Sequence, residues 1–281
     1  MQINHSEGTT DMRDRIDNGI PYLSFESFDK TNLTVNAFST RIGGVSSGYA
    51  ASLNFGGTVN DAPENIAENY RRMAAALSVR PEQMVLTQQT HTTNLLRVGS
   101  DDAGKGITRP RPWTDIDGLL TDVPGVMLVA TFADCVPLYF LDPVHQAIAL
   151  SHSGWRGSVG KMGAVTVQRM QKEFGTNPSD LLAGIGPCIC RSCYEVDDYV
   201  SEQIHEGFSD DDCSHFLFPG RPGHYQLDLK AMNRLILRQA GVPDAQISDS
   251  GLCTCCEPER FFSHRASNGK RGNLCAFLML R

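Results

Sequence analysis

Between residues 84 and 151 the chain carries six short apolar runs, at 84–88, 94–98, 118–121, 126–131, 136–141 and 146–151, each bounded by Gly, Pro or Asp. Runs of this kind read as strands, and together they make the core sheet. Helical patterns lie to either side. Residues 63–77 place Pro63 near the start and Ile66, Met73 and Leu77 on an apolar face. Further helices are predicted over 161–174, 197–207 and 228–240, where Gly241-Val-Pro243 supplies a stop. Residues 33–38 alternate apolar and polar like a strand, and 181–185 and 274–280 add late strands. The order predicts an α/β fold. A chain of 281 residues permits one large unit or two small ones. With no repeat or linker to mark a boundary, a single domain over 21–281 is expected, preceded by a polar, loosely ordered lead-in over 1–20.

Composition narrows the function. The apolar content of 41% suffices for a packed core without staples, since a chain this long buries about three quarters of its unfolded surface. A net charge of -7 with no basic stripe argues against a nucleic-acid polymer as partner and favours a small ligand. Residues 1–20 are polar and mixed in charge, unlike a signal peptide or anchor, and the apolar span 123–141 is broken by Asp134, Pro124 and Pro137, so no membrane helix is expected. A cytoplasmic protein follows from this reading. Nine cysteines without a secretion signal then point to free thiols and metal ligands.

Three segments place metal-capable or nucleophilic residues where strands should end: Thr87-Gln-Gln-Thr-His91, Ala133-Asp-Cys-Val-Pro137 and His152-Ser-Gly-Trp-Arg-Gly157. Two imidazoles and a thiolate are a three-ligand set of the kind that holds catalytic zinc with a fourth position open. Taken singly, His91 reads equally as a hydrogen-bonded loop histidine and Cys135 as a small buried hydrophobe. His152 sits among small residues beside Arg156, a potential anion ligand. The glycine-rich stretch Arg41-Ile-Gly-Gly-Val-Ser-Ser-Gly48 is expected to make a tight turn able to approach a ligand. Neither GxxxxGK[ST] nor a strand–GxGxxG–helix is present, which excludes the common phosphate and dinucleotide loops.

Nine co-linear segments carry a resemblance: Thr40-Arg-Ile-Gly-Gly-Val-Ser-Ser-Gly48, Ser52-Leu-Asn54, Gln88-Gln-Thr-His91, Asp117-Gly118, Ala133-Asp-Cys-Val-Pro137, His152-Ser-Gly-Trp-Arg-Gly157, Gly184-Ile-Gly-Pro187, Cys193-Tyr-Glu-Val196 and Phe261-Phe-Ser-His-Arg265. From about Leu33 onward the chain resembles the YfiH family, known as laccase-domain proteins, polyphenol oxidases, peptidoglycan editing factors and purine nucleoside phosphorylases. The resemblance implies one α/β domain in a four-layer α-β-β-α arrangement. It also implies zinc held by His91, Cys135 and His152, phosphorolysis of adenosine, inosine and methylthioadenosine, and adenosine deamination. Copper is credited to some members, but several copper centres need more histidines than this trio. Departures lie at Cys188 and Cys190 and at Asn268-Gly-Lys-Arg-Gly-Asn273, both expected on the substrate-facing rim.

Phosphorolysis needs phosphate held against the anomeric carbon and a stabilised purine leaving group. Arg41 and Arg156 are assigned to phosphate beside Cys135 and His152, and Asn54, Gln88 and Arg265 complete the expected substrate-binding set. Deamination would use a zinc-bound hydroxide, on a scaffold other than that of the nucleobase deaminases, because Pro187-Cys188 is followed by Arg191 where their signature has a second cysteine. The rival chemistry is a metal-free hydrolase in which His152 activates Cys135, as a peptidoglycan-precursor editing enzyme could use; His91 separates the two. A non-enzymatic binding module is the other alternative. Cys188, Cys190, Cys193, Cys253, Cys255 and Cys256 offer a competing thiolate-rich site with CxxC spacings at 190–193 and 253–256, discounted because so large a core needs no zinc staple.

Overall fold

The computed structural model describes residues 11–56 and 61–281. The first part of the chain forms β1 (Met12–Asp17), β2 (Ile20–Phe25), β3 (Thr34–Ser39), β4 (Met84–Leu86), β5 (Leu95–Arg97) and β6 (Gly118–Thr121). The middle gives β7 (Met127–Phe132), β8 (Val136–Asp142), β9 (Ala147–Ser153) and β10 (Leu182–Ile185). Three short strands, β11 (Glu195–Asp197), β12 (Leu217–Pro219) and β13 (His224–Leu227), precede β14 (Ile247–Asp249) and β15 (Leu274–Leu280).

Two six-stranded sheets result, ordered β1-β2-β3-β15-β7-β4 and β14-β10-β8-β9-β6-β5, with β11-β13-β12 as a small satellite. The strands' period of two divides the core. In β15, Leu274, Ala276, Leu278 and Leu280 point into the seam between the sheets, whereas Cys275, Phe277 and Met279 meet the helix Pro63–Ala76 side. In β9, Ile148 and Leu150 enter the same seam, and Ala147 and Ala149 face a third core that includes Val167, Met170, Ile236 and Leu237 of the helices Met162–Phe174 and Leu229–Gln239. Helices thus cover the outer face of each sheet, and the expected α-β-β-α layering holds.

Local chemistry explains the helices. Pro63 occupies the first turn, Asp228 caps the helix Leu229–Gln239 by accepting from Ala231 N, and Gly175 ends Met162–Phe174 in the left-handed region at φ 74°.

The lead-in is the main correction to the sequence reading. Residues 12–17 are a strand, paired antiparallel with β2 from Met12↔Phe25 to Asp17↔Ile20, and so belong to the first sheet; residues 1–10 of the expected lead-in lie outside the described residues. Arg13, Asp14 and Asp17 keep β1 polar because it is an edge strand, where charge deters pairing with another chain. Among the described residues no helix is long and apolar enough to cross a membrane.

Candidate metal centre and its cleft

The topology brings the three expected ligands together. His91 follows β4 of the first sheet; Cys135 lies on the turn by which the chain crosses from β7 in that sheet to β8 in the second; His152 is within β9, opposite Pro137. Their ligand atoms all lie within 4.8 Å of one another, and the two imidazole rings meet edge to face at 5.0 Å. His152 is buried, Cys135 half-buried and His91 exposed, so the cluster opens to solvent on one side only.

Asp117, at the start of β6, builds the site. Its carboxylate accepts from the backbone N–H groups of Thr90, His91 and Thr92 at 3.0 Å each, and from Thr92 Oγ1 at 3.0 Å. His152 Nδ1 donates to the same carboxylate at 2.9 Å, which leaves Nε2 for the cluster. Burial would raise the Asp117 pKa, but the bond from His152 and those from Thr90 and Thr92 outweigh it and hold the carboxyl at about 2. The same balance runs through the cluster. Burial would push the Cys135 thiol up, yet the charge and hydrogen bonding of His152, then of His91, bring it down to about 6. Burial would lower His152, but the Cys135 charge and the Asp117 hydrogen bond raise it to about 9. A ready thiolate beside two imidazoles suits a borderline-soft divalent metal.

Two backbone features hold Cys135 in place. Asp134 sits at φ 83°, and its carboxylate accepts from Thr254 Oγ1 at 2.7 Å and Arg265 N at 2.7 Å, which pins the crossing turn. Gly154 leaves room for the thiol: a Cβ there would lie 2.9 Å from Cys135 Sγ and 3.1 Å from His91 Cδ2. Gly154→Ala is expected to displace Cys135 and weaken metal binding about tenfold with the fold intact. Competition with a chromophoric chelator measures this, and an unchanged affinity would refute the packing argument.

Beside the cluster lies a cleft of about 500 Å³ lined by Gln89, Trp155, Arg156, Tyr194, His264, Arg265, Arg271 and Asn273, among others. Of the expected substrate residues, Arg156 and Arg265 are there. Arg156 lies 4.2 Å over the Trp155 ring; Arg265 lies 5.2 Å from Tyr194 and donates to Cys193 O and Glu195 O. Three others do not line it. Arg41 spends its guanidinium on Ala51 O and Pro258 O, stacks 4.5 Å over Phe262, and faces a neighbouring cavity. Asn54 is fully buried and braces the chain through Gly56 N and Asn273 N. Gln88 turns to Arg111, while its neighbour Gln89 reaches the cleft wall and bonds Thr131. The glycine-rich loop is correspondingly packed on its own chain: a Cβ at Gly44 would meet Ser52 O at 2.1 Å.

Sequence reasoning passed over Asp117 as an anchor and Arg271 as a cleft residue. Asp117 is legible only as half of the Asp117-Gly118 segment, and its anchoring role is not, since its partners are 25–35 residues away in sequence. Arg271 was legible only as a departure in the 268–273 segment; its Nε is buried without a hydrogen-bond partner, and burial lowers its pKa against the opposing charges of Asp134 and Cys135.

An imidazole–thiolate cluster on the seam of two stacked sheets, with arginines along one cleft wall, makes this an α/β protein organised around a potential metal centre. A family model described as multi-copper polyphenol oxidoreductase laccase matches residues 35–281, and the chain belongs to this laccase/YfiH family. It is 38% identical over 249 residues to purine nucleoside phosphorylase YlmD of Bacillus subtilis, covering 88% of each chain. It is 32% identical to adenosine deaminase RL5 from an unknown prokaryote, covering 85% of this chain and 91% of that one. The crystal structure of Bacillus licheniformis YfiH matches with a TM-score of 0.90 at 35% identity, over 95% of this chain and 99% of that one.

Proposed function

We propose that this protein is a zinc-dependent purine nucleoside phosphorylase acting on adenosine, inosine and methylthioadenosine, with adenosine deamination at the same centre. The observation that carries the reading is that His91, Cys135 and His152 share one cleft with Arg156, Arg265 and Arg271. The names of its relatives agree with it. The donor set fits zinc: two imidazoles, one of them oriented by a carboxylate, and a thiol already biased to the thiolate. Zinc bound there would supply Lewis acidity at its open position.

The chain's own residues do the rest. Arg156 and Arg271 bind and orient phosphate, the unpartnered Arg271 Nε being the donor most in need of an anion, while Arg265, held on Cys193 O and Glu195 O, adds its positive charge to the cleft wall. Trp155 and Tyr194 offer aromatic surface to the purine, and His264 stands on the rim as a hydrogen-bonding group for the departing base. Asp117 fixes the His152 tautomer.

Hypoxanthine should form from inosine only when phosphate is supplied, with ribose 1-phosphate as co-product. Arg271→Gln should reduce phosphorolysis about a hundredfold through lost charge-assisted bonds, while adenosine deamination, whose nucleophile is water, falls far less. Chromatography of products with and without phosphate decides: release of free ribose means a hydrolase, and no turnover of any purine nucleoside ends the proposal. Arg41→Lys, by contrast, is expected to loosen the loop it braces and to leave the phosphate requirement in place.

A further inference from the structure

We propose that Cys190, Cys193, Cys253 and Cys256 form a second site, a structural zinc held by four thiolates that clamps the rim of the cleft. Their Sγ atoms all lie within 4.8 Å of one another, with Cys190–Cys256 at 3.8 Å and Cys193–Cys256 at 3.4 Å. A tetrahedron with Zn–S bonds of about 2.3 Å has S···S edges of about 3.8 Å, so the four sulfurs already outline the coordination shell. Two CxxC turns from distant parts of the chain supply them in pairs. A parallel bridge, Cys188↔Cys253, and the bond from Thr254 N to Cys188 O bring the turns together. Cys190 N at 3.2 Å and Cys256 N at 3.4 Å both donate to Cys253 Sγ, the backbone support that a coordinating thiolate needs. Cys188 is fully buried and, like the half-buried Cys255, stands outside the set.

A core of this size makes a staple unnecessary for the fold as a whole, but not for one irregular segment. Residues 250–273 run between β14 and β15 with neither helix nor strand, a length that compact domains seldom leave unsupported. The four cysteines tie that segment to the 190–195 turn. The same two segments furnish Tyr194 and Arg265 to the cleft, Arg265 donating to Cys193 O, and Thr254 holds Asp134 next to Cys135. The ion would therefore set the rim's geometry from outside the reaction. Zinc enters as the divalent ion and stays so; each protonated thiol that binds it releases its proton to solvent.

Full-length protein purified without added metal should contain two zinc per chain by elemental analysis. Cys256→Ser, at an exposed position, should remove one and leave the other, as should His152→Ala, and the double variant should hold none. The metal-stripped His152→Ala protein, titrated with cobalt(II), should give the strong thiolate-to-metal absorption of a tetrahedral four-sulfur site, a readout independent of activity. Loss of zinc from His152→Ala alone would concern the cleft centre, so the two sites fail separately. One zinc in the wild type that survives Cys256→Ser and Cys193→Ser, iron in zinc's place, or a disulfide among these cysteines by mass spectrometry of anaerobically prepared protein would overturn the assignment.

Discussion

His91→Ala is expected to strip the cleft centre of its metal and to lower phosphorolysis about a thousandfold, the scale of a lost Lewis acid worth several kcal/mol. Because His91 is exposed and its backbone bond to Asp117 survives the change, the denaturation midpoints of the metal-free variant and metal-free wild type should coincide. Elemental analysis should show one equivalent fewer, and Cys135→Ala and His152→Ala should do the same. Iodoacetamide should also alkylate Cys135 faster in the variant, since the metal no longer shields a thiol that His152 still pulls down. The Asp117–His152–Cys135 chain of contacts resembles a thiol hydrolase dyad with its orienting acid, and that reading predicts the reverse: His91→Ala would keep full activity and need no metal.

Asp117 should produce the largest effect on stability. Asp117→Ala leaves the buried His152 without its acceptor and hands three part-buried backbone N–H groups to solvent, a loss of about 2–3 kcal/mol. Asp117→Asn keeps the shape, discards the charge and sets an amide NH2 against donors that both carboxylate oxygens now accept, so it should retain part of the stability loss and weaken metal affinity about 10–100-fold. The acid limb of the stability curve offers a separate test. A carboxyl that titrates at 3.8 when unfolded and at about 2 when folded stabilises the protein fully above pH ~4, and loses that contribution as pH falls towards 2. The contribution is about 2 kcal/mol. Chemical denaturation of metal-free protein should show it in the wild type and its absence in Asp117→Asn; matching acid limbs would mean the carboxylate is not held as described.

How much was legible follows from burial. β7, β8, β9 and β15 are covered on both faces, one by the opposite sheet and one by helices, so they read as unbroken apolar runs and were found nearly to the residue. β1 escaped because Arg13, Asp14 and Asp17 on an exposed edge look like loop. The three candidate ligands that the structure brings together are visible as residue types at strand ends, with the family resemblance joining them. An arginine beside glycines, as at Arg41, is equally suited to an anion or to backbone carbonyls, and the sequence does not distinguish them. The cysteine pairs are legible as CxxC spacings, but core size is a global quantity and gives no sign that the two pairs converge beside one irregular segment.

The position of β15 bears on how the protein is made. This strand lies between β3 and β7, bonded to both, so the first sheet stays split into two halves until residue 280 has cleared the ribosome. Seam residues such as Phe38, Leu128 and Ala130 must wait, uncovered, through the synthesis of everything between. Pairings that distant in sequence are slow to close. The nascent chain is thus most exposed to aggregation and chaperone capture until β15 has paired, and the candidate metal centre, whose Cys135 follows β7, takes its final form only with that pairing.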